Sequence, residues 1–126
     1  MITDSDRTSA HQGLGKTKTR VRREIDRASG TYVWVTQGYT IENYVPPRLL
    51  KEAVAAAHPS ATLKWKGEQF QNPLEPREVK GRKGPVDKIA IAKIVAERWN
   101  EVEEWPFDLK KRVNALIRLI RDANED

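Results

Sequence analysis

The sequence contains no cysteine, which excludes disulfide bonds and metal sites built on thiolates. Histidine is scarce as well, and nothing in the sequence pairs His11 with His58 as metal ligands. No run of apolar residues approaches the ~20 that a membrane-spanning helix needs. The N-terminus also lacks the apolar segment of a secretory signal. These absences favour a cytoplasmic protein with no membrane partner.

The chain is short and basic. Its 126 residues suffice for one domain at most, and 38% apolar residues with a mean hydropathy of −0.72 allow only a modest core. The 23 Lys and Arg residues outnumber the 18 Asp and Glu residues, which gives a net charge of +5. This balance favours a polyanionic partner, although many small soluble domains carry a similar excess.

Two carboxylates lie close together near the N-terminus. Residues 1–6 have the pattern of a strand that ends in Asp-x-Asp, with Asp4 and Asp6 as the two acids. Once the chain turns, both side chains can reach one divalent cation, and oxygen ligands of this kind suit Mg²⁺ or Mn²⁺. A single Asp-x-Asp is more often a solvated terminus, so the pattern gains meaning only with further acids nearby.

A further acid follows the next predicted strand. Residues 32–36 are β-branched and aromatic, Gly38 permits a turn, and Glu42 comes after it. Taken alone, such a Glu is usually solvated. Residues 16–28 have apolar positions at helical spacing, so strand, helix and strand predict a βαβ unit with parallel strands. The carboxyl ends of both strands then share one edge, which places Glu42 near the Asp-x-Asp pair.

Three more helices are predicted along the chain. Pro46-Pro47 opens the first, which ends at His58-Pro59. The second runs over residues 85–100, and its many apolar residues predict that it is largely buried. Trp105-Pro106 begins the last. Residues 60–84 show no period, and no regular structure is predicted for this basic insert.

Lys88 has an unusual position in the second of these helices. It lies near the helix N-terminus, where a cation opposes the helix dipole. Helical spacing places it on the face shared with Ala92, Val95 and Trp99. A lysine in this position indicates a functional role, the alternative being a side chain that extends along the apolar surface to water.

Two basic stretches are candidates for contact with nucleic acid. One is the helix over residues 16–28. The other is the insert, where Trp65 stands between two lysines and a basic run follows at residues 80–83, an interleaving typical of surfaces that stack bases and hold phosphates. The alternatives are a solvated helix face and an insert whose aromatic residues pack into the core. The candidate contact residues are Lys16, Arg20, Arg22, Arg23, Lys64, Lys66, Arg82 and Lys83.

Four segments resemble one known family, in the same order. They are ITDSDR at residues 2–7, TQGYTIENY at 36–44, DKIAIA at 87–92 and LIRLIRDAN at 116–124. They resemble the C-terminal TOPRIM region of OLD-type (overcoming lysogenization defect) ATP-dependent endonucleases, a phage-defence family. The resemblance covers nearly the whole chain outside residues 60–84. It implies an α/β fold: a single partial, Rossmann-like TOPRIM domain over residues 1–126, with a small parallel sheet flanked by helices and a two-helix C-terminal part over residues 85–126.

The resemblance also implies an activity and its residues. The family is a group of nucleases that hydrolyse DNA phosphodiesters with Mg²⁺ or Mn²⁺. Asp4, Asp6 and Glu42 would bind the metal, and Lys88 would act with Glu42 in catalysis by steadying charge on the scissile phosphate. No Gly-rich phosphate loop with Lys and Ser/Thr is expected in this sequence, so no ATP site of the usual kind and no cofactor-binding residue is predicted. The resemblance implies that ATP would be used only through an upstream ATPase domain or chain.

Two departures from the family pattern reduce the activity that we expect. A TOPRIM domain normally has an earlier strand that ends in a catalytic Glu, and we expect this chain to begin after that point, as the C-terminal fragment of a longer protein. In addition, Tyr39-Thr40 replaces the Arg-Glu that the family usually carries. We therefore expect the isolated chain to be a weak or inactive enzyme. The alternative function is a non-catalytic basic module that binds nucleic acid or completes a partner chain.

Overall fold

The computed structural model describes residues 1–28, 30–99 and 105–125. Within these ranges the chain is mixed α/β, with four α-helices and two small two-stranded sheets. In order, the elements are β1 (Ile2–Thr3), α1 (Lys16–Asp26), β2 (Trp34–Val35), a 3-10 helix (Ile41–Tyr44), α2 (Pro47–Ala57), β3 (Ala61–Leu63), β4 (Arg77–Val79), α3 (Lys88–Arg98) and α4 (Leu109–Asn124). None of the described helices is long and apolar enough to span a bilayer.

The first three elements form the predicted parallel βαβ unit. β1 pairs with β2 in parallel, with Ile2 opposite Trp34. The pairing extends past β2, because the Thr36 N–H donates to the Thr3 carbonyl at 3.1 Å. β2 is shorter than the predicted strand over residues 32–36, and the Tyr32 carbonyl before it accepts a hydrogen bond from the N-terminal ammonium group at 2.6 Å.

The basic insert contains an antiparallel hairpin that the sequence did not predict. β3 pairs with β4, with Ala61 opposite Val79 and Leu63 opposite Arg77. Ala61 and Leu63 are buried and Thr62 between them is exposed, which is the alternation of a half-buried strand. The expectation of an insert without regular structure is therefore wrong, and the fold has a second, antiparallel sheet.

The main core lies between α2, α3 and the hairpin. α2 contributes Leu50, Ala53 and Val54, whose side chains are fully buried. A second, smaller cluster joins Trp34 and Tyr44 to Leu109 at the start of α4. α4 is thereby attached to the parallel sheet through its first turn.

α3 is much more exposed than its composition predicts. Asp87 caps its N-terminus and also donates its backbone N–H to Nε2 of His58 at 2.8 Å, which joins the end of α2 to the start of α3. Ile91 and Val95 are buried, whereas Ile89 is 71% exposed. The prediction of a largely buried helix is wrong, because the helix packs through one face only.

The apolar side of α4 is only partly covered. The helix begins at Leu109, later than the predicted start at Trp105. Leu109 is buried and Val113 is half-buried, but Ile117 and Ile120 are exposed. Packing against the rest of the domain thus decreases along the helix.

Candidate functional site

The predicted acidic residues lie at the carboxyl ends of the two parallel strands. Asp4 and Asp6 follow β1, and Glu42 lies in the 3-10 helix that follows β2. Lys88, the first residue of α3, forms an ion pair with Glu42. The four residues selected from the sequence as catalytic or metal-binding therefore come from three different parts of the fold that meet at this edge.

The segment after β1 is bound to the turn after β2. The Asp4 Oδ1 atom accepts a hydrogen bond from the Ile41 backbone N–H at 2.8 Å. Ser5 is buried, and its hydroxyl donates to the Gly38 carbonyl at 2.6 Å. A backbone bond joins Asp6 to the same turn. These contacts fix the two aspartates relative to the turn.

Asn43 is buried and holds the turn in place. Its side-chain oxygen accepts from the Thr40 backbone N–H at 2.7 Å, and its amide group donates to three backbone carbonyls of the 68–71 loop. A Cβ added at Gly38 would lie 2.6 Å from the Asn43 Cβ, so glycine is required there by close approach. The sequence shows an amide between apolar residues, but only the fold reveals these partners.

Glu42 and Lys88 form an asymmetric ion pair. The Lys88 Nζ lies 3.0 Å from Glu42 Oε1, with side-chain exposures of 58% for the lysine and 17% for the glutamate. Both residues line an apolar cavity of about 310 Å³, together with Ala92, Val95 and Trp99. The predicted shared face of Lys88 is thus confirmed, and the carboxylate is the more buried partner.

The environment of Glu42 favours its ionised form. Burial by itself raises the pKa of the Glu42 carboxyl, but hydrogen bonds from the Thr40 and Lys88 side chains outweigh it and lower the pKa below its usual value. The Oε2 atom is buried and has no hydrogen-bond partner among the described residues. This oxygen can therefore accept a further donor or contact a cation.

Asp4 shows the opposite behaviour. Burial is the largest cause that raises the pKa of its carboxyl, and the negative charges of Glu42 and Asp6 raise it further. The hydrogen bond from Ile41 and the positive charge of Lys88 act against this rise. The three carboxylates and Lys88 thus share one electrostatic environment.

Asp6 has its own lysine partner in the first turn of α1. The Lys18 ammonium donates to the Asp6 carboxylate and also to the Asp4 backbone carbonyl, the second bond at 2.6 Å. The φ angle of Asp6 is 53°, in the left-handed region that residues other than glycine rarely adopt. Asp6 and Glu42 are therefore both paired with lysines.

The donor atoms of this site suit a hard divalent cation. Among the described residues, no group of three or more His, Cys, Asp or Glu side chains lies close enough together to hold a metal ion. Mg²⁺ does not require three protein ligands, because it commonly binds through one or two carboxylates and keeps several waters. Asp4 and Asp6 supply two such carboxylates, and the Oε2 atom of Glu42 has no hydrogen-bond partner among the described residues.

The loop between β1 and α1 comes close to the spacing of a phosphate-binding loop, a near match that the expectation of no such loop did not take into account. Residues 10–17 have the pattern Ala-x4-Gly-Lys-Thr, with Ala in place of the first Gly. Residues 4–9 separate this pattern from β1, unlike the usual order in which the loop follows the strand directly. Gly15 and Lys16 open α1 and line a cavity of about 320 Å³ together with Asp6. A helix N-terminus, where anions are favoured, thus lies beside the acidic residues.

Tyr44 connects the site to α4. Its hydroxyl accepts from Trp34 Nε1 at 3.1 Å and from the Gln37 N–H at 2.9 Å, and it donates to Asp108 Oδ1 at 2.6 Å. Burial and the Asp108 carboxylate raise the pKa of Tyr44 to about 12. The same tyrosine therefore links β2, the site turn and the start of the last helix.

The predicted basic contact residues are exposed but lie on separate elements. On α1, two of them are engaged within the helix, Arg20 with Glu24 at 4.0 Å and Arg22 with Asp26 at 3.7 Å. The exposed candidates on α1 are Lys16, Arg20, Arg22 and Arg23, and those of the insert are Lys64, Lys66, Arg82 and Lys83.

The aromatic residues of the insert are not available for stacking bases as a pair. Trp65 is 5% exposed, packs in the main core and donates its indole N–H to the Glu68 carbonyl at 3.0 Å. Phe70 is half-buried, with the Arg7 guanidinium 5.4 Å from its ring centre. The stacking prediction is wrong for Trp65, and the alternative, packing into the core, is confirmed for it.

No family model, curated protein or solved structure matches this chain. The function is therefore inferred from the site geometry and from the motifs in the sequence.

Proposed function

We propose that this chain is part of a divalent-metal-dependent nuclease of the TOPRIM type, similar to the C-terminal region of OLD-type endonucleases. The observation that carries the proposal is the convergence of Asp4, Asp6, Glu42 and Lys88 at the carboxyl ends of the parallel strands. Acids accompanied by a helix lysine at this edge are an arrangement suited to the hydrolysis of a phosphodiester.

Each of the four side chains has a role in this proposal. Asp4 and Asp6 hold a hydrated Mg²⁺ or Mn²⁺, and the unpartnered Oε2 of Glu42 contacts it or its waters. The bound cation supplies Lewis-acid activation of water and neutralises charge on the phosphate. Lys88, 58% exposed, has the length and the access to place its ammonium against a phosphate oxygen while remaining near Glu42.

DNA is the proposed substrate, and an upstream ATPase domain or chain is the proposed partner. The charge of +5, the exposed arginines of α1 and the phosphate-loop spacing at residues 10–17 all favour a polyanion. The acidic site lies beside the N-terminus of α1, so a nucleic-acid backbone that follows this helix reaches the carboxylates.

The test is Mn²⁺ binding followed by cleavage. Titration calorimetry should detect Mn²⁺ binding to the wild-type chain that weakens at least about tenfold in Asp6→Asn, since a carboxylate ligand becomes a neutral amide. Plasmid nicking by excess protein should be slow, metal-dependent and abolished in Lys88→Met. Mn²⁺ binding that is the same in wild type and in Asp6→Asn would overturn the proposal.

The second candidate is a module that binds nucleic acid without cutting it. The observation in its favour is that Lys18 and Lys88 already neutralise Asp6 and Glu42. This candidate predicts salt-sensitive DNA binding that does not change with Mg²⁺ or with the Asp6→Asn substitution. Metal-dependent nicking by the wild-type chain would exclude it.

A further inference from the structure

The Lys18 ammonium has two oxygen partners at the acidic site. One is the carboxylate of Asp6, and the other is the backbone carbonyl of Asp4 at 2.6 Å. A carboxylate and a backbone carbonyl are oxygen ligands of the kind that hard divalent cations use. The positive charge of Lys18 thus lies between two oxygens that can coordinate a metal ion.

Lys18 occupies a position that is electrostatically unfavourable for a lysine. It lies in the first turn of α1, where the helix dipole disfavours a cation, and no acidic residue is present in that turn. Its side chain is 32% exposed, less than the 55% of Asp6, so the lysine is the more buried partner of the pair. The two acceptor oxygens compensate for this unfavourable position.

We propose that Lys18 is an internal competitor for the metal and sets the affinity of the site for divalent cations. This inference depends on the proposed function, because it concerns the same carboxylates. A cation that binds the Asp6 oxygen already contacted by Lys18 takes the place of its ammonium, because two positive charges at contact distance from one oxygen repel each other.

Displacement also gives Lys18 a second position. Lys18, Lys16 and Asp6 line the same cavity of about 320 Å³ beside the start of α1. An ammonium released from Asp6 remains at this cavity, where it can donate to a phosphate oxygen. Metal binding and recognition of a phosphate are therefore coupled through one side chain.

The experiment is Mn²⁺ titration calorimetry on metal-free protein, with Lys18→Met and Lys18→Gln as the test variants. Lys16→Met is the matched control, because it removes the same charge from the same helical turn and lines the same cavity. Removal of the competing ammonium should tighten Mn²⁺ binding about two- to tenfold, which corresponds to the removal of a partly exposed ion pair. Lys16→Met should change the affinity by less than about twofold, because the Lys16 ammonium has no carboxylate partner among the described residues to release.

Each result supports or overturns the inference. Tighter binding in both Lys18 variants but not in Lys16→Met supports it, as does binding that appears only in the Lys18 variants. Wild-type binding that stays unchanged in the Lys18 variants, or that tightens equally in Lys16→Met, overturns the inference and leaves the nuclease proposal intact. Absence of Mn²⁺ binding in every variant overturns both. Circular dichroism confirms that each variant is folded.

Discussion

The Asp4 carboxylate accepts a hydrogen bond at 2.8 Å from the backbone N–H of Ile41, a residue that lies 37 positions later in the chain. This single bond joins the end of β1 to the 3-10 helix that carries Glu42. A candidate metal ligand therefore also helps to hold the site together, so substitution of Asp4 affects both stability and charge.

The two roles of Asp4 can be separated by substitution. Asp4→Ala should lower the free energy of unfolding by about 1 kcal/mol, because the Ile41 N–H is left without its acceptor. Asp4→Asn keeps an oxygen acceptor, so it should be destabilised less. The raised pKa means that Asp4 contributes stability below its unfolded value of 3.8 and loses that contribution as the pH rises through the folded value. Urea denaturation should therefore show that the free energy of unfolding of Asp4→Asn rises relative to that of wild type as the pH increases towards neutral. Equal destabilisation by Asp4→Ala and Asp4→Asn would contradict the proposed role of the Ile41 hydrogen bond.

Lys88 should control the ionisation of Glu42. The pKa of Glu42 is lowered from 4.5, so the stability from the ionised carboxylate is present above 4.5 and is lost as the pH falls through the folded value. In Lys88→Met, burial should dominate and the pKa of Glu42 should rise above its value in the wild-type chain. An NMR titration of the Glu42 carboxyl carbon measures this change. Lys93 is exposed on the same helix, so Lys93→Met is the control and should leave the pKa of Glu42 unchanged.

Gly38 should tolerate no side chain. Gly38→Ala forces a Cβ against the side chain of Asn43 and within 3.0 Å of the Gln69 carbonyl, and should cost about 1–3 kcal/mol of stability. Gly13→Ala is the matched control, because a Cβ there meets no described atom within 4 Å. Its effect should stay within about 0.5 kcal/mol. Chemical denaturation compares the two variants, and equal stabilities would show that the turn adjusts without cost.

Tyr44 should ionise at a higher pH than an ordinary tyrosine. Its pKa of about 12, against a usual value of 10.0, means that its contribution to stability is present below pH 10 and is lost as the pH rises towards 12. A titration of tyrosinate absorbance should show a late step that disappears in Tyr44→Phe. The variant should also be less stable by about 1–2 kcal/mol, since the Asp108 Oδ1 atom loses its Tyr44 donor and the Trp34 indole N–H loses its acceptor. A late step that persists in the variant would assign it to another tyrosine.

The basic side of α1 should contribute to DNA affinity in a salt-dependent way. Replacement of Arg20, Arg22 and Arg23 by Gln should flatten the plot of log affinity against log salt by about 0.9 for each phosphate that the variant no longer neutralises. The control removes three exposed charges from α4, with Lys110, Lys111 and Arg118 replaced by Gln. Fluorescence anisotropy at several salt concentrations gives both slopes. An equal decrease in the two variants would indicate that only net charge matters.

The parallel βαβ unit could be predicted because its signals are local. The apolar spacing of residues 16–28, the β-branched run before Gly38 and the Asp-x-Asp after β1 each depend on near neighbours in the chain. The rule that parallel strands share an edge then brings Glu42 and the aspartates together, which agrees with the mutual effects of their charges. The roles of these residues as metal ligands remain a prediction.

The burial of α3 and the structure of the insert could not be predicted in this way. α3 carries apolar residues on every side of the helix. Its composition therefore does not show which of Ile89, Ile91 and Val95 packs against α2. Residues 60–84 lack a period because only the short strands β3 and β4 alternate, and a long loop lies between them. Their pairing, and the burial of Trp65, depend on interactions between residues that are far apart in sequence.

The sequence by itself determined the absence of thiolate chemistry, the excess of positive charge, the order of the main helices and of the parallel strands, and the candidate acids with Lys88. Tertiary structure alone decided that Lys18 pairs with Asp6 and that Lys88 pairs with Glu42. It also decided that Asn43 holds the turn after β2. The physical reason is that periodicity and turn chemistry act over a few residues. Ion pairs and buried hydrogen bonds depend instead on which distant segments the folded core brings within about 3 Å of each other.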